Sequence, residues 1–162
     1  MTASDDLRSL SLDDLVTLYR MQAEVCIRTW FPLEGYEPIF EAHEQIALEV
    51  ERRGEEAQRR LLDLLDHPDE WVRYFAARDA YKMDPARCHK VLVSLVEEMA
   101  ISSGWAIETL FYFDPTFPEQ LRAIYRSQKS SPAKRSQTTE LLMNRVKNVI
   151  EQSLSSKPKL RP

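Results

Sequence analysis

Apolar positions in this chain recur at three- and four-residue spacing, the period of amphipathic helices. Leu12, Leu15, Val16, Tyr19, Ala23, Cys26, Ile27 and Trp30 form one stripe and predict a first helix over 12–30. Ser11 with Asp14 three residues on resembles a capping box, and Asp13 and Asp14 place negative charge at the positive end of that helix. Pro32 and Gly35 break the pattern, so 31–37 reads as a loop. A second helix follows from about Pro38, its apolar side lined by Phe40, His43, Ile46, Ala47 and Val50. Gly54 suits the left-handed stop after Arg53. A third helix over 55–66 buries Ala57, Leu61, Leu62, Leu64 and Leu65.

Short polar residues followed by proline punctuate the rest: His67-Pro68-Asp69, Asp84-Pro85, Asp114-Pro115 and Ser131-Pro132. Proline fits the first helical turn, where its missing N–H costs nothing. These stops predict a fourth helix to about Met83, a fifth from Pro85 to about Ala100 and a sixth capped by Ser102 or Ser103 and ending near Phe113. A seventh starts at Pro115 and ends before Lys129, and an eighth runs from Pro132 to about Leu154. Residues 155–162 are expected to form a flexible tail.

Sliding the sequence by 30 residues lays Asp84-Pro85 on Asp114-Pro115. The same shift pairs Phe75 with Trp105, Ala76 with Ala106, Ala77 with Ile107, Ala80 with Leu110, Tyr81 with Phe111 and Met83 with Phe113. The repeating unit is thus a pair of helices (55–83, 85–113 and 115–154), with 12–54 a divergent N-terminal pair. One pair cannot bury its apolar face alone, so pairs of this kind stack and share a core. The expectation is one all-α domain over 1–154. Small Ala76 and Ala77 permit close helix approach. Ala76→Leu should overpack that contact by roughly 1–3 kcal/mol, read in a urea melt.

The stretch LLDLLDHPDEWVRYFAARDAYKMDP resembles a HEAT repeat through Leu61, Leu62, Leu64, Leu65, Asp69, Val72, Arg73, Ala76 and Ala77. From about Phe40 to Leu110 the chain is also similar to a small uncharacterised bacterial HEAT-like domain family, in which a segment like EVERRGEEAQRRLL precedes the same motif. The resemblance implies a short right-handed α-solenoid of about four helix pairs, about eight helices in all. It implies that Asp69 and Arg73 tie the inter-helix turn to a neighbouring repeat, and that second helices line a concave surface. It is nearly silent on activity, and the region after Leu110 departs from the family pattern.

Composition narrows the function. With 43% apolar and 30% charged residues, the 162-residue chain is globular rather than disordered. It lacks an apolar run long enough to span a membrane, and its polar, acidic start is unlike a secretory signal. Cys26 and Cys88, far apart and outside any CxxC spacing, read as reduced thiols of a cytoplasmic protein. Net charge is −4 but lopsided: residues 1–70 hold 17 acidic and 7 basic side chains, and 71–162 hold 9 and 15.

Three glycines leave little room for a phosphate-cradling loop, and no P-loop, GxGxxG or GxSxG motif occurs. HExxH fails at His43 because position 47 is alanine, so His43 reads as the edge of an apolar stripe. Cys88 and His89 are adjacent on a helix and diverge by about 100°. The expectation is therefore a protein without catalytic residues, metal or cofactor.

Trp71, Tyr74, Arg78, Trp105, Glu108 and Tyr112 are the candidate partner-binding groove, because Trp, Tyr and Arg dominate binding hot spots. An acidic half beside such a groove suggests a bacterial immunity or antitoxin-type inhibitor of a basic toxin. From Gln120 onwards there are 10 basic against 2 acidic residues. The alternative is thus a glycosylase-like nucleic-acid-binding module using Lys134, Arg135, Arg145 and Lys147. A scaffold subunit of a cytosolic complex is the third reading.

Overall fold

The computed structural model describes residues 3–28 and 37–129, and these are all helical with connecting turns; no strand occurs among them. The order is α1 (Ala3–Ser9), α2 (Leu12–Arg28), α3 (Glu37–Arg52), α4 (Glu55–Arg60), a 3-10 turn (Leu61–Leu64), α5 (Glu70–Asp79), α6 (Pro85–Glu97), α7 (Ser103–Phe113) and α8 (Phe117–Lys129). The chain divides into two compact units, with the boundary between Leu92 and Val93 inside α6. The eighth predicted helix and the tail lie outside the described residues.

Local chemistry sets the helix ends. The Ser11 hydroxyl accepts the Asp14 amide at 3.1 Å and donates to the Asp14 carboxylate at 2.6 Å, so Ser11 caps the start of α2. The Asp69 carboxylate accepts from the amides of Trp71 and Val72 at 2.9 and 3.2 Å. Asp69 therefore caps its own helix, rather than reaching a neighbour as the repeat resemblance implied. Asp84 accepts from the Arg87 amide at the start of α6. The predicted seventh helix begins two residues late, because Asp114 holds Thr116 by both amide and hydroxyl and forms a turn first. The predicted third helix becomes α4 followed by the 3-10 turn, in which Leu61 and neighbouring Leu65 are buried while Leu62 and Leu64 are half-buried.

Gly54 has φ +86° and ψ −167° between α3 and α4. Only glycine adopts this region without strain, and an added Cβ would meet no atom within 4 Å. Gly54→Ala should therefore cost about 1–3 kcal/mol through the backbone alone, measured by chemical denaturation.

In the first unit, α2 packs on α3 and α5, α5 packs on the 3-10 turn, and α4 packs on α3. Leu15, Tyr19, Ala23, Leu61, Trp71, Val72, Phe75, Ala76 and Ala77 are fully buried there. In the second unit, α7 packs on α8, with Ala106, Leu110, Phe117 and Leu121 fully buried. Phe111 meets Phe117 edge-on at 5.8 Å.

Helix α1 was not foreseen, since it is short and has no apolar stripe. Arg53 holds it: its guanidinium donates to the carbonyls of Leu7 and Leu10, each at 2.8 Å, and to that of Arg8 at 3.3 Å. Those carbonyls stand at the end of α1, where the helical ladder runs out; the Leu7 carbonyl also accepts the Leu10 amide at 3.3 Å. Glu49, only 6% exposed, fixes Arg53 from Nε at 3.0 Å and takes a two-pronged grip from Arg52 at 2.7 Å. These Arg52 and Arg53 hydrogen bonds outweigh burial and hold the Glu49 carboxyl at about 2, against 4.5 for a free glutamate. Glu49 thus stabilises the fold fully above pH 4.5 and loses that contribution as pH falls through about 2. The stability gap between wild type and Glu49→Gln should shrink over that window in urea melts.

Candidate functional site

The first unit contains one dense cluster of titratable groups. Tyr19 comes from α2, His43 from α3, and Arg78 and Asp79 from the end of α5. The Tyr19 hydroxyl donates to Asp79 at 2.6 Å. Arg78 Nε donates to the other Asp79 oxygen at 2.6 Å, and its Nη2 reaches Glu44 at 2.9 Å. His43 Nε2 stands 3.7 Å from Asp79, too far for a hydrogen bond. The His43 ring lies 3.9 Å from Phe75 and 4.6 Å from Tyr19, and Arg78 sits 5.0 Å over the Phe75 ring.

Electrostatics lock this cluster. Burial opposes the Asp79 charge, but His43, the Arg78 guanidinium and the Tyr19 hydroxyl more than offset it and hold the carboxyl below its usual range. Burial and the adjacent Asp79 push the Tyr19 phenol well above its ordinary value, so it stays a donor. Burial also works against the Arg78 charge, yet Asp79 raises its pKa on balance. Tyr19 and His43 are fully buried, and the Asp79 side chain is 16% exposed. Such a cluster joins three helices; it offers little for a substrate to reach. The sequence marked Tyr19, His43 and Arg78 separately, and the signal for Asp79 was an acid directly after Arg78 at the close of a helix whose aromatic and alanine positions are buried.

Of the six candidate groove residues, Trp71, Tyr74 and Arg78 lie in the first unit and Trp105, Glu108 and Tyr112 in the second. Trp71 and Tyr74 are 0% and 3% exposed, packed edge-on to each other at 6.0 Å, with Phe75 5.0 Å from Tyr74. Their place in the core corrects the expectation that they face a partner: Asp69 starts α5 in a register that turns both rings inward. Arg78 is engaged by Asp79 and Glu44. In the second unit the other three fall at i, i+3 and i+7 on α7. Trp105 is half-buried, Glu108 is exposed and Tyr112 is 82% exposed. Their face is opposite Ala106 and Leu110 on the same helix. Lys134, Arg135, Arg145 and Lys147 lie outside the described residues.

No group of three or more His, Cys, Asp or Glu suited to a metal occurs among the described residues. Cys88 is a free, fully buried thiol, pushed up to about 12 by burial and by Asp84. No described helix is long and apolar enough to cross a membrane.

A family model described as Domain of unknown function (DUF2019) matches residues 13–111. Among solved structures, the chain is similar to the crystal structure of the protein RPA1889 from Rhodopseudomonas palustris, at 22% identity and a TM-score of 0.62. That match covers 67% of this chain and 93% of the other, and at this identity it speaks to the fold alone. No curated protein matches.

Proposed function

We propose, from the premise that the chain belongs to the DUF2019 family, that it is a non-catalytic protein-binding module. The observation that carries this reading is the exposed face of α7, where Tyr112 is 82% exposed, well above Met21, Val25, Leu48 and Ile101 at 40–54%, the other exposed large apolar side chains among the described residues. An aromatic held rigidly on a helix and left in water is a natural binding anchor. The largely buried His43–Asp79 cluster supports the same reading, because its groups are spent on one another and on joining helices. HEAT-like stacking of the helix pairs belongs to this proposal, as the arrangement that would keep such a face clear.

The finer form is an immunity or antitoxin-type inhibitor acting in the cytoplasm. It is supported by the acidic excess of residues 1–70, 17 acidic against 7 basic side chains, which remains after Glu55, Asp13 and Asp66 pair with Arg59, Arg60 and Arg87. A surface of that sign steers basic partners. The test is co-purification from the native host with wild type and Tyr112→Ala side by side. A partner that is basic, is lost with Tyr112→Ala, and has an enzymatic activity blocked by the purified chain supports the inhibitor. A partner held equally by both proteins removes α7 as the binding face, and an unaffected activity removes the inhibitor form.

A further inference from the structure

We propose that Trp105, Glu108 and Tyr112 together seat an arginine or lysine side chain of a basic protein partner. The inference rests on the binding-module reading and adds the chemistry of the group recognised. The three residues span two turns of α7, a run of about 10 Å at 1.5 Å per residue. Glu108 sits between the two aromatics and makes no ion pair or hydrogen bond among the described residues. The α7 sequence SGWAIETLFYF contains no basic residue, so no cation of its own helix balances that charge. The Tyr112 ring touches Phe113 edge-on at 4.9 Å and is otherwise open.

Only one ligand chemistry answers all three groups. A purely apolar partner would cover Glu108 and strip its water without giving it a counter-charge, which is costly. A phosphate or an acidic peptide would be repelled by Glu108, so nucleic acid is disfavoured at this face. A guanidinium or ammonium pairs with the carboxylate and lies against the electron-rich aromatic faces, gaining from both. The acidic excess of residues 1–70 favours a basic partner at longer range.

The experiment titrates the full chain, labelled with nitrogen-15, with a short synthetic glycine–arginine peptide and with its citrulline counterpart, which keeps the shape and removes the charge. The expected result is that the Trp105 indole and the α7 amides shift with the arginine peptide, and that citrulline abolishes the shift. Glu108→Gln and Tyr112→Ala should each weaken binding roughly two- to fivefold, as exposed ion pairs and cation–π contacts do. Asp63→Asn, in the other unit, should leave it unchanged. Shifts spread over the Asp63 and Asp66 surface, with Glu108→Gln neutral, would mean general attraction to an acidic protein and overturn the seat. Self-association of wild type that Glu108→Gln abolishes would make a second copy the occupant and overturn the foreign partner. With the co-purified partner, sensitivity to Tyr112→Ala but not to Glu108→Gln would overturn the cation seat and leave the binding module standing. Insensitivity to both would remove the two together.

Discussion

Replacing Asp79 by alanine should destabilise the first unit by about 3–5 kcal/mol, the range for removing one partner of a buried ionic group. The size follows from what is stranded. The Tyr19 hydroxyl, fully buried at the centre of α2, loses its acceptor at 2.6 Å. Arg78 loses its contact with Asp79 and keeps only the half-exposed Glu44 at 2.9 Å. His43, between Phe75 and Tyr19, loses the nearest negative charge. Tyr19→Phe in the wild-type background should cost about 1.5–3 kcal/mol, as a hydrogen bond to a charged group does. In the Asp79→Ala background the same change should cost far less, because the hydroxyl there has nothing to donate to. Urea melts of the four proteins give the coupling directly. A loss below about 1 kcal/mol for Asp79→Ala, or additive effects of the two changes, would mean that the cluster does not join α2 to α5 as its distances imply.

Much of this fold was legible because its signals are local. The Ser11–Asp14 cap, the glycine stop at Gly54 and the Asp–Pro punctuation act within four residues, and the helices begin and end near them. The apolar stripes gave Leu15, Tyr19, Ile46, Val50 and Leu61 as core, and all are buried. What escaped depends on contacts distant in sequence. Helix α1 is held by Arg53 across more than forty residues, and no local pattern announces that capture. The Tyr19–Asp79 hydrogen bond spans sixty residues. Trp71 and Tyr74 of the candidate groove turned out buried for a related reason. Composition marked Trp71, Tyr74, Trp105 and Tyr112 alike, but a helical aromatic binds or packs according to the side its helix turns to the core. That side is fixed by tertiary contacts: α5 is packed against α2 and the 3-10 turn, whereas α7 keeps one flank in water.

Trp71 and Tyr112 therefore make a decisive pair, since the same substitution should have opposite consequences. Trp71 is fully buried, 6.0 Å from Phe75 and 6.3 Å from Phe40, and its ring fills the space between α5 and α3. Trp71→Ala removes the largest side chain of that core and leaves a cavity that rigid neighbours only partly close, so it should cost about 3–5 kcal/mol. Tyr112→Ala takes a ring mostly in water and should change stability by no more than about 0.5 kcal/mol. For partner binding the order reverses: Tyr112→Ala weakens it while the protein stays folded, and Trp71→Ala affects it only as far as the first unit unfolds. Denaturation followed by circular dichroism, beside a binding assay at a temperature where both variants are folded, separates the two roles. A folded Trp71→Ala protein of wild-type stability would overturn the packing described for α5. A Tyr112→Ala protein that melts several degrees early would place that ring in the core and remove the surface on which the proposed partner docks.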